Sequence, residues 1–362
     1  MPDFPILSEA LMRQRLAPPA GDKIRLIIDT DAHNEIDDQF AIAWALLSQD
    51  RFEIEGFTAA PYSFQHHRQP LLDAYHLLKQ TPNPNLPDTL KHYEEAAARF
   101  IANETDPHSI SYVGPAEGME LSYQEIIKVC ELLGEDVEGR VFRGAQAYLN
   151  TLASPIRSEA ADFIVERALA DDDRPVYIAA IGCLPNVASA ILMEPKIIEK
   201  IVVLWTSAYP SYVSLSNQSS LNRVQDKLSS QLIFDCGVPH VYLPGYYIGE
   251  QLTISLPEMA EWVRGRGHIG DYLYHLYTHN PIHSMRGISD HFGRTWVMWD
   301  LINFAWLLNP GWVPSHLVKA PILNDELFWE HDEARHWMCE AYQCDRDAIF
   351  RDFFTKLANA AP

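Results

Sequence analysis

The chain has 362 residues, 47% of them hydrophobic, enough to bury one large core or two smaller ones. Lys and Arg number 28 against 49 Asp and Glu, a net charge of −21 spread along the length rather than held in one tail. That balance argues against a nucleic-acid polymer or an anionic membrane surface as partner; it suits a small neutral or cationic ligand and metal cations.

Five cysteines, at 130, 183, 236, 339 and 344, are odd in number and scattered, and Cys339 and Cys344 lack zinc-site spacing. A reduced, cytoplasmic setting is the expectation. The opening Met-Pro-Asp-Phe-Pro lacks the basic and then apolar start of a secretory signal, and no run of 18 apolar residues predicts a membrane span.

In chain order, residues 1–22 read as an irregular, proline-containing arm, followed by a single α/β domain over 23–362. Ile24 to Ile28 is apolar apart from Arg25 and rich in Ile, a buried parallel strand. A helix follows from about Gln39, and Phe52 to Ala60 gives a second strand, broken by Pro61. Strand, helix and strand joined by short links predict a right-handed βαβ unit. Residues 66–105 have a helical pattern, interrupted by the proline-rich loop at 81–87, and residues 106–122 read as polar and turn-rich. Ser158 to Leu169 is a helix; Pro175 to Ile181 is a buried strand, with a helix from Pro185 or Asn186. Ile201 to Trp205 and His240 to Leu243 continue the strands, with a helix over about Arg223 to Phe234 between them. From 255 onward the chain reads as mainly helical, with loops at 264–270 and 280–295 and a helix from Asp300 to Leu308. The expected architecture is a doubly wound, mostly parallel sheet with helices on both faces and a helical C-terminal part. Ligands bind such sheets beyond the strands' carboxyl ends.

The first strand runs into Asp29-Thr-Asp31-Ala-His-Asn-Glu35-Ile-Asp37-Asp38, five carboxylates in ten residues with no Lys or Arg among them. Capping the next helix would use one or two of these; five need a cation, and a hard divalent ion takes such oxygens. Glycine-rich phosphate loops and a G-x-S-x-G elbow are absent. Asp-x-Asp after a strand also occurs in haloacid dehalogenase-type phosphatases, but those continue with Thr or Val where His33 stands.

The acidic turn resembles the metal-binding motif of the inosine/uridine-preferring nucleoside hydrolase family, Asp-x-Asp-Pro-Gly-x-Asp-Asp. Further stretches resemble that family in the same order: Arg143-Gly144, Ser158-Glu-Ala-Ala-Asp-Phe-Ile164, Ile181-Gly-Cys-Leu-Pro-Asn186, Leu221-Asn222-Arg-Val-Gln-Asp226, and Trp299-Asp300-Leu-Ile-Asn-Phe-Ala-Trp-Leu-Leu-Asn309-Pro310. The resemblance implies Ca²⁺ held by Asp31, Asp38, Asp300 and the main-chain carbonyl of Ile181. It also implies Asp37 and Asn222 on the ribose, and Asp31 as the base that deprotonates a metal-bound water attacking the anomeric carbon. An oxocarbenium-like transition state would gain from the surrounding carboxylates. The expected activity is Ca²⁺-dependent hydrolysis of the N-glycosidic bond of a ribonucleoside in purine or pyrimidine salvage, by a homodimer or homotetramer. The alternative is a non-catalytic ribosyl- or metabolite-binding protein of the same fold.

Four departures stand out. The turn is two residues longer than the family form, which leaves Asp29 and Glu35 as further ligand candidates. Ser220 stands where the family has a Glu for the 5′-hydroxyl, Trp299 where some members have a His, and Tyr62 near the place of an Asn. His291, nine residues before Asp300, is then a candidate acid for the leaving base. Tyr62, Trp299 and Trp205 are candidates to stack on a heterocycle, Asn217 is a further substrate-side candidate, and Trp296 reads as core.

Overall fold

All seven residues of the first strand, Ile24–Thr30, are buried, as expected of a strand covered on both faces. Their side chains divide between two cores: Leu26 and Ile28 face one layer of helices and Ile27 the other. The computed structural model describes residues 3–21, 23–80, 85–91, 93–109, 112–280 and 290–360. The proline-rich loop at 81–87 and the loop at 280–295 lie partly outside them.

Eight strands make the main sheet: β1 (Ile24–Thr30), β2 (Phe52–Ala59), β3 (Val141–Arg143), β4 (Val176–Ala180), β5 (Ile201–Ser207), β6 (His240–Pro244), β7 (Ser315–Lys319) and β8 (Trp337–Ala341). They lie in the order β3-β2-β1-β4-β5-β6-β8-β7. Every neighbouring pair is parallel except β7–β8. The order reverses between β1 and β4, whose ends are in register at Asp29 and Ala180. This is the switch point where doubly wound sheets open a crevice. One core layer holds helices Asp37–Leu46, Pro115–Leu132, Leu301–Leu308 and Arg346–Ala360; the other holds Glu159–Ala168, Pro185–Met193 and Lys227–Asp235.

Four expectations need correction. The N-terminal arm carries a helix, Glu9–Leu16, capped by the Ser8 hydroxyl and buried at Met12 and Leu16. The stretch expected to be turn-rich up to 122 turns helical at Pro115, because proline fits a first helical turn. The helix expected over 223–234 divides into Leu221–Val224 and Lys227–Asp235, since Asp226 caps the second piece through Ser229 N. The C-terminal part is not purely helical: β7 and β8 extend the sheet, and their short mixed sequences carry no clear alternation. β3 adds an edge strand that ends at Gly144, where a Cβ would sit 1.9 Å from the Ala59 carbonyl; only glycine permits that approach.

Candidate active site

The site grows from the ends of β1 and β4. Asp29 closes β1 under it, fully buried, with Oδ1 accepting from Thr58 Oγ1 (2.6 Å) and Asn186 Nδ2 (2.8 Å). Burial pushes its carboxyl up to about 6 despite those bonds. Asn186 also donates to the Ala59 carbonyl and accepts from Ala145 N, so one amide fastens β1, β2 and the loop after β3.

Asp37 and Asp38 open the helix Asp37–Leu46, but neither is its cap; that position is Ile36, without a side-chain cap bond. Asp38 instead accepts the Thr30 hydroxyl. Asp300 arrives from far along the chain at the start of helix Leu301–Leu308. One turn later, Asn303 donates to the carbonyls of Ala180 (3.1 Å) and Leu204 (3.2 Å), locking that helix to the ends of β4 and β5. Ligand atoms of Asp37, Asp38 and Asp300 all lie within 4.8 Å of one another, the one such group of three among the described residues.

All four aspartates, Asp31 included, are buried. Burial holds each carboxyl well above the usual range, and a neighbouring carboxylate adds to it: Asp37 acts on Asp31, Asp38 on Asp37, Asp31 on Asp38, and Asp37 on Asp300. Arg25, the cation on β1, pairs with Glu55 rather than with the cluster. Buried carboxylates packed against one another fit a hard divalent cation.

The tightest group thus contains Asp37, while Asp31 stands beside it with Oδ2 held by Asn34 Nδ2 at 3.2 Å. A Cβ on Gly182 would meet Asp31 Cγ and Oδ1 at 3.0 Å, so the glycine gives Asp31 its room. Ile181 and Asn222 are joined directly, Nδ2 donating to the Ile181 carbonyl at 3.0 Å. The inserted turn is anchored by His33 Nδ1 against the Tyr62 hydroxyl, 2.9 Å, with the two rings stacked. Glu35, half-buried, adds its charge to Asp37 and Asp38.

Other candidates lie further out. Trp299 meets Tyr246 edge-on at 5.8 Å, and Tyr246 packs on Tyr209 at 4.6 Å, an aromatic wall beyond β5 and β6. Trp205 is fully buried, its indole N–H on the Gly182 carbonyl, so it belongs to the core rather than to a base pocket. Trp296 is buried too. Asn217 accepts from Tyr209 N and donates to the Leu327 carbonyl, which ties it to main chain. Ser220 is likewise engaged, with Ser207 Oγ and Ala208 N. His291 packs beside the Tyr277 ring at 5.5 Å. Asn34 and Asn303 were not singled out from the sequence; an Asn in a turn or a helix gives no signal of its partner across the fold.

The model of the inosine-uridine preferring nucleoside hydrolase family matches residues 26–346. The chain belongs to that family. It is therefore a hydrolase acting on N-glycosyl compounds, of a metal-dependent family. Solved structures agree on the fold. The purine-preferring ribonucleoside hydrolase from Gardnerella vaginalis aligns with TM-score 0.59 at 15% identity, covering 93% of this chain and 99% of its own. The plant nucleoside hydrolase PpNRh1 gives 0.56 at 18%, over 94% and 99%. The inosine-uridine preferring nucleoside hydrolase from Bacillus anthracis gives 0.55 at 13%, over 94% and 100%. No curated protein matches by sequence. Among the described residues no helix is long and apolar enough to cross a membrane.

Proposed function

We propose that this hydrolase cleaves the N-glycosidic bond of a ribonucleoside with Ca²⁺ as its metal. The observation that carries the reading is the buried group Asp37, Asp38 and Asp300 at the sheet's switch point. Asp31, Asp38, Asp300 and the Ile181 carbonyl would hold the ion, an all-oxygen set suited to Ca²⁺. When bound, the cation supplies positive charge that acidifies a water and attracts the ribose hydroxyls.

The chain's own groups do the rest. Asp31 takes the water's proton. Asp37 and the free part of the Asn222 amide hold the ribose hydroxyls. The buried carboxylates, held in place by the fold, favour positive charge growing at the anomeric carbon. Tyr62 and Trp299 bound the substrate, Asn217 braces that side through Tyr209, and His291 protonates the leaving base. Salvage in the cytoplasm, by a homodimer or homotetramer, is the setting this reading supposes. Family membership favours turnover over the binding-only alternative.

The test is release of p-nitrophenol from p-nitrophenyl riboside, followed by a panel of purine and pyrimidine ribonucleosides, with Ca²⁺ and with EGTA. Release that EGTA abolishes and Ca²⁺ restores is expected. A folded, Ca²⁺-loaded protein that releases nothing from any of them sinks the proposal.

A further inference from the structure

The turn between Asp31 and Asp37 places Asn34 against Asp31 twice. Its main-chain N–H donates to the Asp31 carbonyl at 2.8 Å, and its Nδ2 donates to Asp31 Oδ2 at 3.2 Å. The neighbouring His33 is tied to Tyr62, which holds the turn from its other side. The remaining polar atom, Asn34 Oδ1, is buried and has no hydrogen-bond partner among the described residues. A buried acceptor without a donor is costly, on the order of 1–3 kcal/mol, so this oxygen is shaped to receive a donor from a ligand or a water.

Geometry limits where that donor sits. The oxygen and nitrogen of one amide are about 2.2 Å apart, so Asn34 Oδ1 lies within about 5.4 Å of Asp31 Oδ2. A single water donating both protons at ordinary O–H···O lengths, its O–H bonds about 105° apart, bridges oxygens about 4.5 Å apart, inside that limit. An attacking water needs this arrangement: one proton goes to the base, the other is held by a second acceptor, and a lone pair faces the carbon.

We propose that Asn34 is a positioning residue that brackets the attacking water together with Asp31: its Nδ2 fixes the Asp31 carboxylate, and its Oδ1 accepts the water's second proton in a hydrogen bond. Asp31 receives the first proton as the oxygen bonds to the anomeric carbon, and the C–N bond electrons leave with the base. The inference rests on the hydrolase reading above and gives the inserted turn a purpose in it.

The test uses the full-length, Ca²⁺-loaded protein and Asn34→Ala. With p-nitrophenyl riboside, kcat should fall about 10–100-fold, as for other groups that orient a metal site from behind its ligands. KM, and Ca²⁺ affinity by calorimetry, should stay within about threefold of wild type. An unchanged kcat overturns the proposal; so does an equal loss of Ca²⁺ affinity, which marks a structural or ligating role. A crystal structure of the Ca²⁺-loaded wild type should show a water within hydrogen-bond distance of both Asn34 Oδ1 and Asp31. If wild type releases no base, the hydrolase reading falls by itself, and the crystal structure still judges this inference: no shared water overturns it.

Discussion

Asn222 donates its side-chain amide to the Ile181 carbonyl at 3.0 Å, so a residue expected on the ribose is seated on a group expected to ligate the metal. One N–H and the amide oxygen stay free for a ligand. Asn222→Ala should lower kcat/KM by about 10–100-fold and cost about 1 kcal/mol of stability, the usual worth of one partly exposed hydrogen bond. Steady-state kinetics and urea unfolding separate the two effects. A loss of stability that accounts for the whole loss of activity would contradict the assignment.

The aspartate cluster sets a pH signature for the metal-free protein. Asp31, Asp37, Asp38 and Asp300 have folded pKa values raised well above those of the unfolded chain, so the native state binds more protons than the unfolded state above about pH 4. Their contribution to stability therefore falls as pH rises from the unfolded value through the raised ones. Asp29, raised to about 6, has the same sign between about pH 4 and 6. In EGTA, the melting temperature should drop from pH 5 to pH 8. Ca²⁺ should raise it more at pH 8, where protons compete less. Asp300→Asn should flatten the slope in EGTA and remove most of the Ca²⁺ response. A steep slope kept by that variant would place its origin elsewhere.

Gln39 links the inserted turn to distant helices. Its Nε2 donates to the Ala32 carbonyl and to Glu125 Oε1 (3.1 Å), and Glu125 accepts the Tyr272 hydroxyl. Both Gln39 and Glu125 are buried. Gln39→Ala strands the Ala32 carbonyl and leaves Glu125 Oε1 with the Tyr272 hydroxyl alone, and should destabilise the fold by about 1–3 kcal/mol, read as a lower urea midpoint at unchanged m-value.

Gly182→Ala tests the space beside Asp31. A Cβ there stands 3.0 Å from Asp31 Cγ and Oδ1, so the carboxylate must shift by some tenths of an ångström. Displacement of a reacting group on this scale should cost about 10–100-fold in kcat. Circular dichroism and thermal melting should show the fold retained.

The sheet was legible because its central strands are short, apolar and closed by Asp, Gly or Pro, and the acidic turn announced itself by charge density without a counter-ion. Asp300 was legible only through its resemblance, since nothing local ties it to Asp38. β7 and β8 escaped because Ser315–Lys319 and Trp337–Ala341 mix polar and apolar residues without clear period, and their pairing is decided by β6. Trp205 was misplaced as a stacking candidate for a related reason: its indole is wanted by a carbonyl, that of Gly182, which sequence does not display. Asn34 escaped because its value lies in which oxygen it faces.

Asn303 welds the helix behind Asp300 to two strand ends, whereas Trp299, immediately before that aspartate, leans on Tyr246, which a loop carries. Adjacent positions in the chain are therefore anchored in different ways, one on strand ends and one by contact with an aromatic side chain. An engineer seeking a new leaving group should redraw Trp299, Tyr209 and Tyr246, and leave Asp300 and Asn303 untouched.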